Sequence, residues 1–226
     1  MNKIIFISGI DTGCGKTVAT GLMARRLKQA GCRVITQKIV QTGCTGISED
    51  ILTHRRLMDE PLHDVDRNGI TCPYVFGYPA SPHLSAAREG RTIDLENILD
   101  CTEVLRKKYD FVLIEGAGGV HVPLTGEKTI LDYIEMHGYP MVLVTTPVLG
   151  SINHTLMSIE LAWRRGIKVK GLIYNRYFSV DEVISSDSLE VFTGYLHRFF
   201  PGSPVICIPD SSSDVSELPD FRSLFS

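Results

Sequence analysis

Gly9-Ile10-Asp11-Thr12-Gly13-Cys14-Gly15-Lys16-Thr17 is the stretch whose reading decides the fold. It lies between an apolar run, Ile4–Ser8, and a segment in which Val18, Leu22, Leu27 and Ala30 recur at near-helical spacing before Gly31 ends the pattern. A glycine-rich turn that ends in Gly-Lys-Thr between a strand and a helix is suited to holding phosphate. Gly13 and Gly15 let the backbone curl so that several N–H groups face one anion, and the helix N-terminus adds partial positive charge. Lys16 brings a full charge to the β- and γ-phosphates, and the Thr17 hydroxyl is placed to ligate Mg²⁺. An ordinary glycine-rich turn is the bland alternative, and the Gly-Lys-Thr ending argues against it. Gly9 stands one residue further from Lys16 than in the common G-x-x-x-x-G-K-T spacing, so the loop is a variant.

Working outward, five more short apolar runs follow: Arg33–Gln37, Phe111–Ile114, Met141–Thr145, Val169–Tyr174 and Val205–Ile208. Helical patterns alternate with them, among them Leu95–Lys108 and Ile152–Trp163. Continuously apolar strands alternating with helices predict an α/β fold, a mostly parallel central sheet flanked by helices on both faces. Such sheets bind ligands at the carboxyl ends of their strands. The residues there are Gly9 to Thr17, Lys38 to Thr42, Glu115 to Gly119, Thr146 to Asn153, Asn175 and Pro209 to Ser211. The stretch of about residues 45–90 carries Pro73, Pro79 and Pro82 and reads as an insertion covering the site, with one helix around Asp50–Met58. Because the strand pattern resumes at Phe111, residues 1–226 are expected to form a single domain.

Glu115 is expected to end its strand ahead of Gly116-Ala117-Gly118-Gly119. An acid beside a phosphate loop suits a second Mg²⁺ contact, and small residues would let nucleotide or substrate approach the backbone. Lys38 would set a second cation across from Lys16. One lysine suffices to bind ATP, so two point to negative charge that builds up during a reaction; a surface lysine is the alternative. Thr42 and Gly43 are placed to contact a small substrate. Asp50 or Glu49 could complete a metal site, and the sequence does not choose between them. The Asn175 amide suits an adenine edge. His83 and His154 read as structural.

The bulk numbers exclude other classes. The chain has 226 residues, 43% hydrophobic and 22% charged, and a net charge of -3. That balance lacks the basic excess that drives nucleic-acid binding. No basic amphipathic run suggests a membrane surface, and no stretch approaches the roughly 20 apolar residues of a span. The first apolar run breaks into the glycine loop too soon for a signal peptide, so a cytoplasmic protein is expected. The six cysteines lack the close pairing of a zinc site and read as reduced thiols.

Taken together these motifs resemble one family. Gly9-Ile10-Asp11-Thr12 with Gly15-Lys16-Thr17 is similar to the G-T-D-T-x-x-G-K-T loop of dethiobiotin synthetases, and Lys38-Ile39-Val40-Gln41-Thr42-Gly43 to their K-P-V-x-[ST]-G segment. Ser81-Pro82-His83, Glu115–Gly119, Leu149–His154 and Asn175 fall in the family's order, so the resemblance spans about residues 4–175. Gly13, Cys14 and Ile39 depart from the usual Glu, Val and Pro.

The resemblance implies a three-layer P-loop NTPase fold and a C–N-forming ligase of biotin biosynthesis. Such an enzyme carboxylates 7,8-diaminopelargonic acid (7,8-diaminononanoate) with CO₂ and closes the ring at the expense of ATP, with Mg²⁺ as cofactor. It implies Lys38 and Lys16 as catalytic residues, and Thr17, Asp50 and Glu115 as Mg²⁺ ligands. Nucleotide contacts would come from Gly13, Cys14, Gly15, Lys16, Thr17, Val18, Asp50, Glu115, Gly116, Ala117, Gly118, Asn175, Arg176, Pro209, Asp210 and Ser211. Substrate contacts would come from Thr12, Thr42, Gly150 and Asn153, in a homodimer whose Gly150–Asn153 segment serves the other subunit's site. Three rivals remain: another ATP-dependent small-molecule ligase, a switch ATPase of the partitioning and cell-division type, and a non-catalytic module that only binds nucleotide. The second has a signature lysine five residues before the P-loop lysine, where this chain has Asp11.

Overall fold

A computed structural model describes residues 3–178, 181–209 and 219–225. Its centre is a six-stranded sheet of β1 (Lys3–Gly9), β2 (Val34–Lys38), β5 (Phe111–Gly119), β6 (Met141–Thr145), β7 (Val169–Asn175) and β8 (Val205–Ile208), in the order β2-β5-β1-β6-β7-β8. Every adjacent pair is parallel. Strand residues alternate between faces, and here both faces are apolar, which is why each strand reads as an unbroken hydrophobic run. Phe6, Ile35, Val112, Ile114 and Leu143 join one core with Ile98 and Leu105 of α5 (Leu95–Arg106), Ile130 and Leu131 of α6 (Ile130–Met136), Ile159 of α7 (Ser151–Arg164) and Phe192 of α8 (Glu182–Phe199). Their neighbours Ile5, Ile7, Leu113 and Val142 join the opposite core with Leu22, Met23 and Leu27 of α1 (Lys16–Gln29) and with Phe221, Leu224 and Phe225. This is the expected three-layer P-loop arrangement.

The strand order also places the site. From β1 the chain builds β2 and β5 on one side, then fills the other side with β6, β7 and β8. The carboxyl end of β1 therefore lies where the winding reverses direction, the position at which open α/β sheets bind ligands.

Two expectations need correction. Glu115 does not end its strand, because β5 runs on to Gly119. The glycines there mainly allow close packing: a Cβ on Gly116 would meet the Phe6 ring at 2.9 Å, and one on Gly119 the Ile10 carbonyl oxygen at 2.9 Å. The stretch after β2 is also more ordered than a proline-broken cover. It holds a second, two-stranded parallel sheet of β3 (Gln41–Thr42) and β4 (Val75–Phe76), along with α2 (Glu49–Met58), α3 (Asp64–Arg67) and α4 (Pro82–Arg88). Arg55 of α2 ties this segment to the main sheet, donating to Asp66 at 2.8 and 2.9 Å and to the Thr36 hydroxyl of β2 at 2.9 Å, all of it buried.

Candidate active site

The loop between β1 and α1 turns on Gly15, whose φ of 98° is left-handed and which precedes the first residue of the helix. Gly15 is also pressed against Asn175, the last residue of β7, so that a Cβ would overlap the Asn175 amide. Asn175 holds the loop from that side: its Nδ2 donates to the Cys14 carbonyl at 3.1 Å, and its Oδ1 accepts from the Tyr177 N–H at 3.2 Å. One of its two amide N–H groups is thus engaged by the loop. The buried Cys14 side chain packs beneath the loop against Gly9.

Lys16, only 6% exposed, donates to the Asp11 carbonyl at 2.8 Å. Burial pushes its ammonium below the usual lysine value, and the nearby Lys38 charge adds to that depression. Lys38 comes from the end of β2 and is equally buried. Its three N–H groups meet three acceptors: Asp50 Oδ2 at 2.7 Å, Glu115 Oε1 at 2.9 Å and the Gly116 carbonyl at 2.9 Å. Burial opposes its charge, but the Glu115 and Asp50 carboxylates outweigh that and hold the ammonium above the ordinary lysine value. Glu115 shows the converse. Burial alone would raise its carboxyl, yet Lys38 and a hydrogen bond from His54 hold it well below the carboxylate range.

Thr17 completes the cluster. Its hydroxyl oxygen lies 2.9 Å from Asp50 Oδ1 and 3.0 Å from Glu115 Oε1. Asp50 reaches this point because Ser48 caps α2, its hydroxyl accepting from the Ile51 N–H at 3.3 Å, which aims the helix start at the phosphate loop. Glu49, one position earlier, is exposed. Geometry therefore puts Asp50, and not Glu49, beside Thr17.

These groups line a cavity of about 740 Å³. Thr12, Gly13, Gly15, Lys16, Thr17 and Val18 form one wall, and Lys38, Thr42, Asp50, Glu115, Ala117 and Gly118 face them. Pro79, Ala80, Ser81 and Pro82 add a wall from the segment expected to cover the site. Lys16 and Lys38, the two cations expected to share a pocket, do share it. Other expected contacts lie elsewhere. Cys14 and Gly116 are not on the cavity wall. Arg176 is half-buried and paired with Glu182 at 2.6 and 2.7 Å. Gly150 and Asn153, expected to serve the other subunit's site, lie exposed at the start of α7, away from this chain's own cavity lining. Pro209 is half-buried after β8; Asp210 and Ser211 lie outside the described residues. One residue that sequence reasoning passed over is His54, wholly buried, with Nε2 2.8 Å from Glu115 Oε2. Its only sequence signal is a place four residues after Asp50 on a helix.

Comparison with known proteins places this geometry. A family described as an AAA domain matches residues 3–208. Among solved structures, a ParA family ATPase from Chlorobium tepidum covers 100% of the chain and 88% of its own length with a TM-score of 0.54 at 17% identity. The septum site-determining protein MinD of Pyrococcus horikoshii covers 93% and 82% with a TM-score of 0.54 at 18% identity. At that identity the likeness concerns the fold alone. Much greater similarity is found to the ATP-dependent dethiobiotin synthetase BioD 2 of Pasteurella multocida, 51% identical over 203 residues, 90% of this chain and 95% of that one. The ATP-dependent dethiobiotin synthetase BioD of Chlorobaculum tepidum is 54% identical over 205 residues, 90% and 86% of the two chains. Identity of this extent, with both cavity lysines and the Thr17, Asp50 and Glu115 cluster in place, assigns the chain to the ATP-dependent dethiobiotin synthetase family.

Proposed function

We propose that this protein uses MgATP and CO₂ to carboxylate 7,8-diaminononanoate and close the ureido ring, yielding dethiobiotin, ADP and phosphate. The observation that carries the reading is the pair of buried ammonium groups, Lys16 and Lys38, on the wall of one cavity. A module that only bound nucleotide would need the first and have no use for the second. A carbamate formed on the diamine and a phosphoryl group in transfer both place negative charge between these lysines, and a preorganised cation there stabilises that charge as it develops. Lys38 starts with all three N–H groups engaged, so it contributes as a fixed charge and exchanges one partner when it donates to a substrate oxygen. Asp11 occupies the signature position of the switch ATPases, where no lysine is available to serve that mechanism.

The donor set suits Mg²⁺. Thr17 Oγ1, Asp50 Oδ1 and Glu115 Oε1 are hard oxygen donors, the hydroxyl 2.9 and 3.0 Å from the two carboxylate oxygens. Neighbouring ligands on an octahedron with metal–oxygen bonds of about 2.1 Å stand about 3 Å apart. When bound with ATP, Mg²⁺ neutralises charge on the β- and γ-phosphates. The residues' own tasks are to hold the phosphates against the loop amides and Lys16, and to face the diamine toward Thr12, Thr42 and the Pro79–Pro82 wall. We read residues 1–226 as one domain, with about residues 45–90 as its cover. Gly150 and Asn153 then serve the cavity of a second copy, and Leu149 beside them, 81% exposed, supports an interface there. The expected compartment is the cytoplasm.

The test is phosphate release by purified protein given ATP, Mg²⁺, bicarbonate and the diamine. Release is expected only with all four. Release indifferent to the diamine would overturn the reading in favour of a switch ATPase.

A further inference from the structure

We infer that His54 is a positioning residue for the reaction, holding the Glu115 carboxylate in the orientation that presents Oε1 to Thr17 and Lys38. The inference rests on the reading above, in which Glu115 is a metal ligand.

The two oxygens of Glu115 are divided between two surroundings. Oε1 faces the cavity side and lies 3.0 Å from Thr17 Oγ1 and 2.9 Å from Lys38 Nζ. Oε2 points into the protein and lies 2.8 Å from His54 Nε2. A carboxylate only accepts, so Nε2 is the donor in this bond. Without His54, Oε2 would be a buried oxygen with no partner, and the carboxylate could regain one only by rotating about its terminal torsion, which is soft. That rotation would carry Oε1 away from Thr17. The imidazole removes this freedom.

The helix makes the arrangement possible. Asp50 and His54 are four residues apart on α2 and so lie on one face, one turn apart. The same face thus delivers one carboxylate to the cavity through Asp50, whose Oδ1 lies 2.9 Å from Thr17 Oγ1, and fixes the second from behind through His54. His54 is itself immobile: it is wholly buried, and the adjacent Arg55 is anchored to Asp66 and Thr36. Among the described residues His54 Nδ1 is buried with no hydrogen-bond partner, so the ring's polar tie there is the one to Glu115. A histidine kept in the interior only for packing would be replaced by an apolar residue at less cost, since a buried unpaired nitrogen is destabilising.

The experiment measures Mn²⁺ binding to the protein–ADP complex by electron paramagnetic resonance, alongside kcat and KM for ATP. His54→Leu, which removes the donor, should weaken Mn²⁺ binding by about tenfold or more, the usual cost of losing a hydrogen-bond partner of a metal ligand. It should also lower kcat more than it raises KM. His54→Gln places an amide N–H near the position of Nε2 and should restore most of the affinity, whereas the shorter His54→Asn should not. If Glu115→Gln weakens Mn²⁺ binding while His54→Leu leaves it within threefold of wild type, the positioning role is overturned and the metal-ligand reading stands. If Glu115→Gln leaves Mn²⁺ binding unchanged, the metal-ligand reading itself fails, and this inference with it. Should His54→Leu not fold, equal Mn²⁺ affinity of the Gln and Asn variants would overturn the proposal by itself.

Discussion

Lys38 and Glu115 are register partners on adjacent parallel strands, and their side chains meet 2.9 Å apart at the floor of the cavity. Lys38 ends β2 and Glu115 lies within β5, and both are buried and set by the sheet rather than swinging in solvent. Removing the ammonium should therefore cost more in turnover than in ground-state binding. Lys38→Ala is expected to lower kcat by about 100-fold or more while ATP affinity, by calorimetry, changes by less than about tenfold. Equal losses in both would contradict the assigned role.

Gly15 is the loop position least able to accept a side chain, since its φ is 98° and the Asn175 amide occupies the space a Cβ needs. Gly15→Ala should weaken ADP binding by about tenfold or more, because the strain alone is on the order of 1–2 kcal/mol. Adding Asn175→Ala relieves the overlap but not the backbone strain, so rescue should be partial. Full recovery in the double variant would show that crowding, not conformation, sets the requirement.

Thr17→Val keeps the shape of the side chain and deletes the hydroxyl that meets Asp50 and Glu115. ADP affinity without Mg²⁺ should stay within about threefold, while the gain in affinity on adding Mg²⁺ should shrink by about tenfold. Titration calorimetry with and without the cation reads both quantities. An unchanged Mg²⁺ effect would remove Thr17 from the proposed ligand set.

The Arg55–Asp66 pair should appear in stability rather than catalysis. Asp66→Ala leaves a buried guanidinium unpaired and should cost about 3–5 kcal/mol in denaturant unfolding. Burial would raise the Asp66 carboxyl, but its hydrogen bonds and ion pair with Arg55 outweigh burial and lower it from the usual 3.8. A carboxyl lowered on folding adds stability that is present above its unfolded value and lost as pH falls through the folded one. The gap between wild type and Asp66→Ala should therefore hold from about pH 7 to about pH 5 and narrow below about pH 4. A gap that narrows first on the alkaline side would contradict this account.

Much of the frame was legible because it depends on local rules. Met141–Thr145 and Val205–Ile208 were delimited to the residue, since buried parallel strands are continuous apolar runs between turns. Helix α8 left no such trace. Its buried positions Ser185, Ser188, Phe192 and Leu196 have helical spacing, but two of the four are serines, so no hydrophobic stripe marks it. The two-residue strands β3 and β4 are too short for any periodicity. Within the cavity, the glycine loop and the lysines announced themselves by type and place. Choosing Asp50 over Glu49 required the direction in which α2 begins, and His54 required its contact with Glu115, which lies 61 residues further along the chain. Such contacts are made by tertiary packing, which spacing does not encode.

The charges on the cavity wall cancel. Among the described residues that line it, the only charged ones are Lys16, Lys38, Asp50 and Glu115, two of each sign. An electrically balanced vestibule offers little to a bare polyanion, whose negative charge would enter with no surplus of positive side chains to meet it. A nucleotide that arrives already escorted by a divalent ion changes the balance far less. On the proposed reading the cavity should therefore favour the ion-bound form of its fuel, with the loop amides rather than a surplus of positive side chains gripping the phosphates.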